Sequence, residues 1–144
     1  MSDATIRKLT WRDIDSIIAI DQKVTGKARE SYWKNKIIIY SGLDPGACLV
    51  AEADGKVIGF LLGERKDWEF GAPQSGWIEI LGIDPGYQGK GIGHLLAAAI
   101  IEHFKKSQIT KVQTMVERDA ENLLAYFRSL GFAEGSLINF SKDI

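Results

Sequence analysis

The stretch Trp77 to Gly93, WIEILGIDPGYQGKGIG, constrains the fold more than any other part of the chain. An apolar strand runs into Asp84-Pro85-Gly86 and crosses a glycine-rich turn. It then opens onto Ile92, Leu95, Leu96, Ala99, Ile100 and Phe104, spaced by threes and fours. That spacing predicts a helix from Gly91 to Lys106 with one apolar stripe laid on a sheet. A strand, a tight turn and a helix in this order gather backbone N–H groups at a helix start, which suits phosphate oxygens.

The flanking segments predict the rest of the sheet. Thr5 to Leu9 reads as a short first strand, and Thr10 with Asp13 as the start of a helix carrying Ile14, Ile17, Ile18 and Asp21 and ending near Gly26. A second helix spans Arg29 to Tyr40, with Tyr32, Trp33, Ile37 and Tyr40 as core or groove lining, closed by Ser41-Gly42. Ala47–Ala53 and Lys56–Gly63 are β-rich runs joined by Asp54-Gly55, a dipeptide suited to a tight hairpin turn. Past the hairpin the strand breaks at Gly71-Ala72-Pro73, leaving Trp68 and Phe70 exposed near a ligand or an oligomer contact.

Gln74 to Ile83 is the central strand. Lys111 to Glu117 alternates as another, and Asp119 to Leu130 is a helix with Leu123, Phe127 and Leu130 on one face, stopped by Gly131. Phe132 to Ile144 reads as a last strand segment, or as two broken by Gly135. The order of elements predicts an α/β fold in which a mixed sheet has antiparallel N-terminal strands and a parallel centre, flanked by about four helices. At 144 residues, 1–144 is expected to be a single domain.

Composition excludes rather than selects. With 45% hydrophobic and 26% charged residues and a net charge of -1, nothing pulls the chain as a whole toward nucleic acid or a membrane. Cys48, the single cysteine, lies in an apolar run and reads as a buried strand thiol. Residues 1–5 lack a signal-peptide layout and no apolar run reaches about 18 residues, so a soluble cytoplasmic protein is expected. His94 and His103 have no cysteine or carboxylate cluster at ligand spacing; both read as solvated surface histidines, with no metal.

Three phosphate-binding patterns compete for Gly86 to Gly93. A Walker A loop fails because Ile92-Gly93 stand where Lys and Ser or Thr are required. A dinucleotide fingerprint fits Gly89 and Gly91 but meets His94 at its third glycine. The pattern Q/R-x-x-G-x-G/A is satisfied by Gln88, Gly91 and Gly93, directly after a strand and Asp-Pro turn and directly before an amphipathic helix. Here the sequence resembles the GNAT N-acetyltransferase superfamily, and Asn122 to Phe132, NLLAYFRSLGF, resembles that family's second conserved helix.

The resemblance covers nearly the whole chain and implies a direct transfer of the acetyl group of acetyl-CoA to a primary amine. Gln88, Gly89, Lys90, Gly91, Ile92 and Gly93 would then hold the pyrophosphate, the glycines letting the backbone come close. In the family the preceding strand splays at a bulge, so Leu81, Gly82 and Ile83 would offer backbone groups to the acetyl thioester and the pantetheine arm. Glu79 is the candidate base, with a substrate-binding or solvent-facing glutamate as the alternative.

The usual general acid is a tyrosine four residues before the Gly131-Phe132 pair, where this chain has Phe127. Tyr126 is adjacent, turned by about 100°, and shares a side with Asn122 at i and i+4. Tyr126 and Asn122 are therefore candidates for a displaced acid and cofactor contact, and a water is the alternative proton donor. Peptide N-termini, lysine side chains and small-molecule amines all stay open as acceptors, and homodimerisation rests on the resemblance alone. A non-catalytic acyl-CoA-binding module and a protein-interaction domain are the competing readings.

Overall fold

The computed structural model describes residues 3–67 and 73–144; Trp68, Phe70 and the Gly71-Ala72 part of the expected strand break lie outside them. Two compact units divide the chain, Met1–Thr114 and Met115–Ile144. The first holds a five-stranded sheet in the order β1 (Thr5–Lys8), β2 (Cys48–Ala53), β3 (Lys56–Lys66), β4 (Ser75–Ile83), β5 (Val112–Thr114). β1 to β4 pair antiparallel, and β4 with β5 parallel, which gives the mixed sheet its hand-over from hairpins to crossover.

The hairpin joining β2 to β3 turns at Asp54 (φ 54°) and Gly55 (φ 74°), both in the left-handed region that a tight hairpin needs. α1 (Ile14–Thr25) follows a short 3-10 turn and ends at Gly26 with φ 80°. The Asp13 carboxylate caps that turn by accepting from the Thr10 amide at 2.8 Å, and it takes two further hydrogen bonds from Arg7 at 2.8 and 2.9 Å. α2 (Glu30–Leu43) is tied back to α1 by Arg29, which donates twice to Asp21 at 2.9 Å.

α2 runs three residues past the expected end, so Ser41-Gly42 does not close it. Pro45 does: its ring disfavours a helical conformation at the residue before it, and Asp44 is extended at φ -156°. Ile14, Ile17, Ile18, Trp33 and Ile37 from the two helices share one core with Cys48, Val50, Phe60 and Leu62 of the sheet. Tyr40 and Ile80 pack at its margin.

The other face carries α3 (Ile92–Lys106), whose buried stripe is Ile92, Leu96, Ala97, Ile100 and Phe104. Leu95 is exposed and Ala99 only half-buried, so the stripe is narrower than its spacing predicted. The helix comes close at two points where glycines leave no side chain beneath it. A Cβ at Gly63 would stand 2.5 Å from Ile100, and one at Gly76 2.5 Å from the Phe104 ring.

His103 corrects the surface reading. Its Nε2 lies 3.0 Å from both oxygens of the buried Asp44 carboxylate, which Arg65 also meets at 3.1 Å. Asp44 thereby ties the end of α2 to β3 and α3. Charge-bearing residues far apart in sequence met through packing, and no spacing rule predicts that.

The second unit contains α4 (Glu121–Ser129), followed by Gly131 at φ 89°. Phe127 is buried against Phe132, ring centroids 5.2 Å apart, whereas Leu123 is exposed. The expected strand from Phe132 to Ile144 is not formed, and β5 stops at Thr114 instead of Glu117. Alternating apolar residues specify a strand only where a neighbour accepts the ladder hydrogen bonds. Here Leu137, Ile138 and Phe140 stand exposed.

Candidate functional site

The turn between β4 and α3 is anchored by Asp84. Its amide donates to the Ile58 carbonyl at 2.8 Å, and its carbonyl accepts from the Tyr87 amide at 2.8 Å. Its carboxylate accepts from the Gly86 amide at 2.9 Å and from the Lys23 ammonium at 2.8 Å. The Lys23 hydrogen bond holds this buried carboxyl below the usual carboxylate range. One side chain thus pins the glycine turn to β3 and to α1. The motif contains Asp84, but Lys23 lies 61 positions away and could not be chosen from sequence.

Beyond Asp84 the chain makes a single 3-10 turn, Pro85–Tyr87, and Gln88 extends outward, exposed. Gly89 and Gly91 both adopt left-handed conformations, φ 76° and 80°, and a Cβ built on either meets no atom within 4 Å. Conformation, not crowding by the protein, therefore requires glycine here. The space beside them is open. Lys90 is exposed, its Nζ 5.2 Å from the Tyr87 ring centroid; Lys56 reaches the same ring at 5.2 Å. The Tyr87 hydroxyl donates to Asp54 at 2.9 Å, joining the turn to the hairpin. Gly91 caps α3, Ile92 is its buried first residue and Gly93 is half-buried in its first turn.

β4 leaves its neighbours in two ways. β5 pairs with it only from Gly76 to Ile78, where the Thr114 hydroxyl donates to the Ile78 carbonyl at 2.8 Å. Among the described residues no strand pairs with that edge from Glu79 to Ile83. On the other edge, Ile80 opposes Leu62 but Ile78 opposes Gly63, so Glu79 is the extra residue of a β-bulge. Leu81, Gly82 and Ile83 resume the pairing opposite Leu61, Phe60 and Gly59. Gly82 is required by packing, since a Cβ there would lie 2.5 Å from the Phe60 ring.

The bulge decides where Glu79 sits. Trp77 faces Glu64 and Ile80 faces Leu62, so two β4 residues three apart share one sheet face, which an unbulged strand forbids. Burial pushes the Glu64 carboxyl up, with the charge of Glu79 adding to this against the pull of Lys66. Lys66 Nζ lies 3.0 Å from the buried Oε1 of Glu79 as an ion pair without hydrogen-bond alignment, and 4.5 Å from the centroid of the Trp77 ring. Burial, with the charges of Glu79 and Glu64 added, pushes the Tyr40 phenol up to about 12. Glu64, Tyr40 and Lys66 were not among the sequence candidates. The alternation Phe60, Leu62, Glu64 hints at a shared face, but the bulge that brings Glu79 to it has no local signal.

In the second unit, Asn122 is exposed on the first turn of α4 and Tyr126 lies one turn on. Burial pushes the Tyr126 phenol up to about 12, and its ring meets that of Phe127 edge-on at 4.9 Å. Elsewhere, burial pushes the Cys48 thiol up to about 11, which keeps it protonated and unreactive at neutral pH. Among the described residues no group of three or more His, Cys, Asp or Glu is arranged to hold a metal ion, and no helix is long and apolar enough to cross a membrane.

Comparison with known proteins places these features in a family. A model described as the Acetyltransferase (GNAT) family matches residues 11–132. The mycothiol acetyltransferase of Saccharomonospora viridis is 32% identical over 90 residues, covering 60% of this chain and 29% of that protein. That of Propionibacterium freudenreichii is 33% identical over 91 residues, covering 62% and 28%. The chain thus spans less than a third of the length of these two relatives. An aminoglycoside N-acetyltransferase solved in complex with CoA superposes with a TM-score of 0.83 at 17% identity, over 99% of this chain and 96% of that one. Ard1 from Thermoplasma volcanium superposes with a TM-score of 0.78 at 20% identity, over 92% and 84%. The structural likenesses speak for the fold, and the family model spans the chain from ahead of α1 to beyond α4: the chain belongs to the GNAT acetyltransferase family.

Proposed function

We propose that this chain transfers the acetyl group of acetyl-CoA directly to a primary amine of a small molecule. The observation that carries the reading is the release of β4 from β5 beyond Ile78, immediately ahead of a turn with two left-handed glycines at the head of α3. Left-handed residues alternating with ordinary ones gather amides into an anion-binding concavity, and the helix start adds its positive end. Gln88, Gly89, Lys90, Gly91, Ile92 and Gly93 hold the pyrophosphate in this reading. The unpaired edge of Leu81, Gly82 and Ile83 offers backbone groups to the thioester carbonyl, where preorganised donors stabilise developing negative charge.

Acetyl-CoA supplies an activated acyl group, and the protein's residues align the amine and manage its protons. An acceptor amine is mostly protonated near neutrality and must lose a proton before it can attack. Glu79 takes that proton; Asn122 contacts the cofactor and Tyr126 or a water protonates the leaving sulfur. The small-molecule class is favoured by the names of the similar proteins, mycothiol acetyltransferases and an aminoglycoside N-acetyltransferase.

The test is release of free thiol from acetyl-CoA in the presence of amino sugars, polyamines, free lysine and peptides with unblocked N-termini. The expected result is release that depends on a small-molecule amine. Calorimetric binding of acetyl-CoA without release for any amine would leave an acyl-CoA-binding module. A melting temperature that does not rise with CoA would leave an interaction domain.

A further inference from the structure

Lys66 pairs opposite Ser75, which makes Trp77 its diagonal neighbour across β3 and β4, within reach of a long side chain. Its Nζ lies over the Trp77 ring, 4.5 Å from the centroid, and 3.0 Å from Oε1 of Glu79. An aromatic face and a carboxylate meeting on one nitrogen are the groups that recognise a primary ammonium ion. Both are held in place by contacts other than Lys66. The Trp77 indole N–H donates to the Ser75 hydroxyl at 2.9 Å, Gln113 donates to the same hydroxyl at 3.3 Å, and the bulge sets Glu79 two residues beyond the ring.

Lys66 fills this place imperfectly. Glu79 Oε1 is buried and accepts no hydrogen bond, although the Lys66 ammonium is near enough to give one. A buried acceptor left without a donor is costly. An ammonium that is not tethered to the neighbouring strand is free to turn an N–H toward this oxygen. Lys66 is also the part able to leave: its side chain is 38% exposed, and an ion pair open to water holds weakly.

Resting on the transferase reading above, we propose that the Trp77 ring and the Glu79 carboxylate form the ammonium subsite for the acceptor, and that Lys66 is its built-in competitor, displaced when a primary ammonium on a methylene stem enters. The Lys66 side chain is itself an ammonium on a flexible four-carbon stem. The subsite therefore takes straight-chain amines, such as free lysine or a polyamine, in preference to an amine carried directly on a sugar ring. A neutral ligand of the same shape gains neither the ring contact nor the charge contact and leaves Lys66 in place.

Two measurements test the displacement, and the first needs no turnover. Contact with the Trp77 ring moves the nearby side-chain proton signals of Lys66 by ring current; in protein with 13C-labelled lysine these signals are identified by their loss in Lys66→Arg. Adding n-butylammonium should return them to the position of a solvated lysine, and n-butanol should not. Signals unmoved by n-butylammonium, or moved equally by n-butanol, overturn the proposal. The second measures kcat and KM for spermidine and for glucosamine in the wild type, Lys66→Met and Lys66→Arg, with the affinity for acetyl-CoA as the check on folding. Lys66→Met should lower the KM for spermidine roughly fivefold, and Lys66→Arg, which keeps the charge, should leave it near the wild-type value. Turnover with a KM that is unchanged or raised in Lys66→Met overturns the competitor alone, and glucosamine as the better acceptor overturns the straight-chain preference. A wild type that binds acetyl-CoA and acetylates no amine overturns the transferase reading and the acceptor role of this subsite with it.

Discussion

Replacing Gly91 by alanine separates conformational strain from ligand contact, because Gly55 supplies a matched control. Gly91 sits at φ 80° and Gly55 at φ 74°, and an added Cβ meets nothing within 4 Å at either position. Each substitution therefore places an L-residue in the left-handed region, at a cost of about 1–2 kcal/mol, without a clash. For a chain of this size that lowers the melting temperature by a few degrees in both variants.

Only Gly91 lies in the turn proposed to hold the pyrophosphate, so only there should the substitution act on the ligand as well as on the fold. Losing one charge-assisted hydrogen bond there costs about 1.5–3 kcal/mol, which raises the Kd for acetyl-CoA roughly ten- to a hundredfold. Ligand at one hundred times the wild-type Kd stabilises that protein by about 2.7 kcal/mol, and a hundredfold weaker variant by only about 0.4. Calorimetry and thermal shift with acetyl-CoA read the difference directly: Gly55→Ala should keep the full ligand-induced shift and Gly91→Ala should lose most of it. Equal affinities in the two variants would refute a phosphate role for this turn.

Glu79→Gln should lower turnover at neutral pH at least tenfold, in line with general-base contributions of about a hundredfold or more, with acetyl-CoA affinity nearly unchanged; steady-state kinetics beside calorimetry decides. Tyr126→Phe keeps the ring packing and removes the proton, so turnover equal to wild type would assign protonation of the thiolate to water. Because the Lys23 hydrogen bond depresses the folded-state pKa of Asp84, the stability it contributes is present above the ordinary carboxylate range and lost as pH falls through its depressed value. Melting temperature measured from pH 6 to pH 2 should therefore fall less steeply below about pH 4 in Asp84→Asn than in the wild type; superimposable slopes would remove Asp84 as a source of acid sensitivity.

Much of the fold was legible because its signals are local. Thr10 with Asp13, Asp54-Gly55 and the stripe Ile92, Leu96, Ile100 and Phe104 each encode an element through contacts a few residues apart. The glycine turn belongs to the same class, since left-handed φ values at Gly89 and Gly91 leave glycine the readiest choice. Where the signal was apolar alternation alone, it misled: Phe132 to Ile144 needs a partner strand to pair with and has none among the described residues.

The candidate site divides along the same line. The identity of the phosphate turn and of Glu79 could be proposed from the linear chain, because both lie within one strand–turn–helix. Their surroundings could not. Lys23 against Asp84, His103 against Asp44, and Lys66 against Glu79 join residues up to 61 positions apart. The bulge at Glu79 exists only as a mismatch between two strands, one residue more in β4 than in β3. Register is a property of paired strands, set by what packs on each face, so the direction in which Glu79 points was settled by the tertiary structure alone.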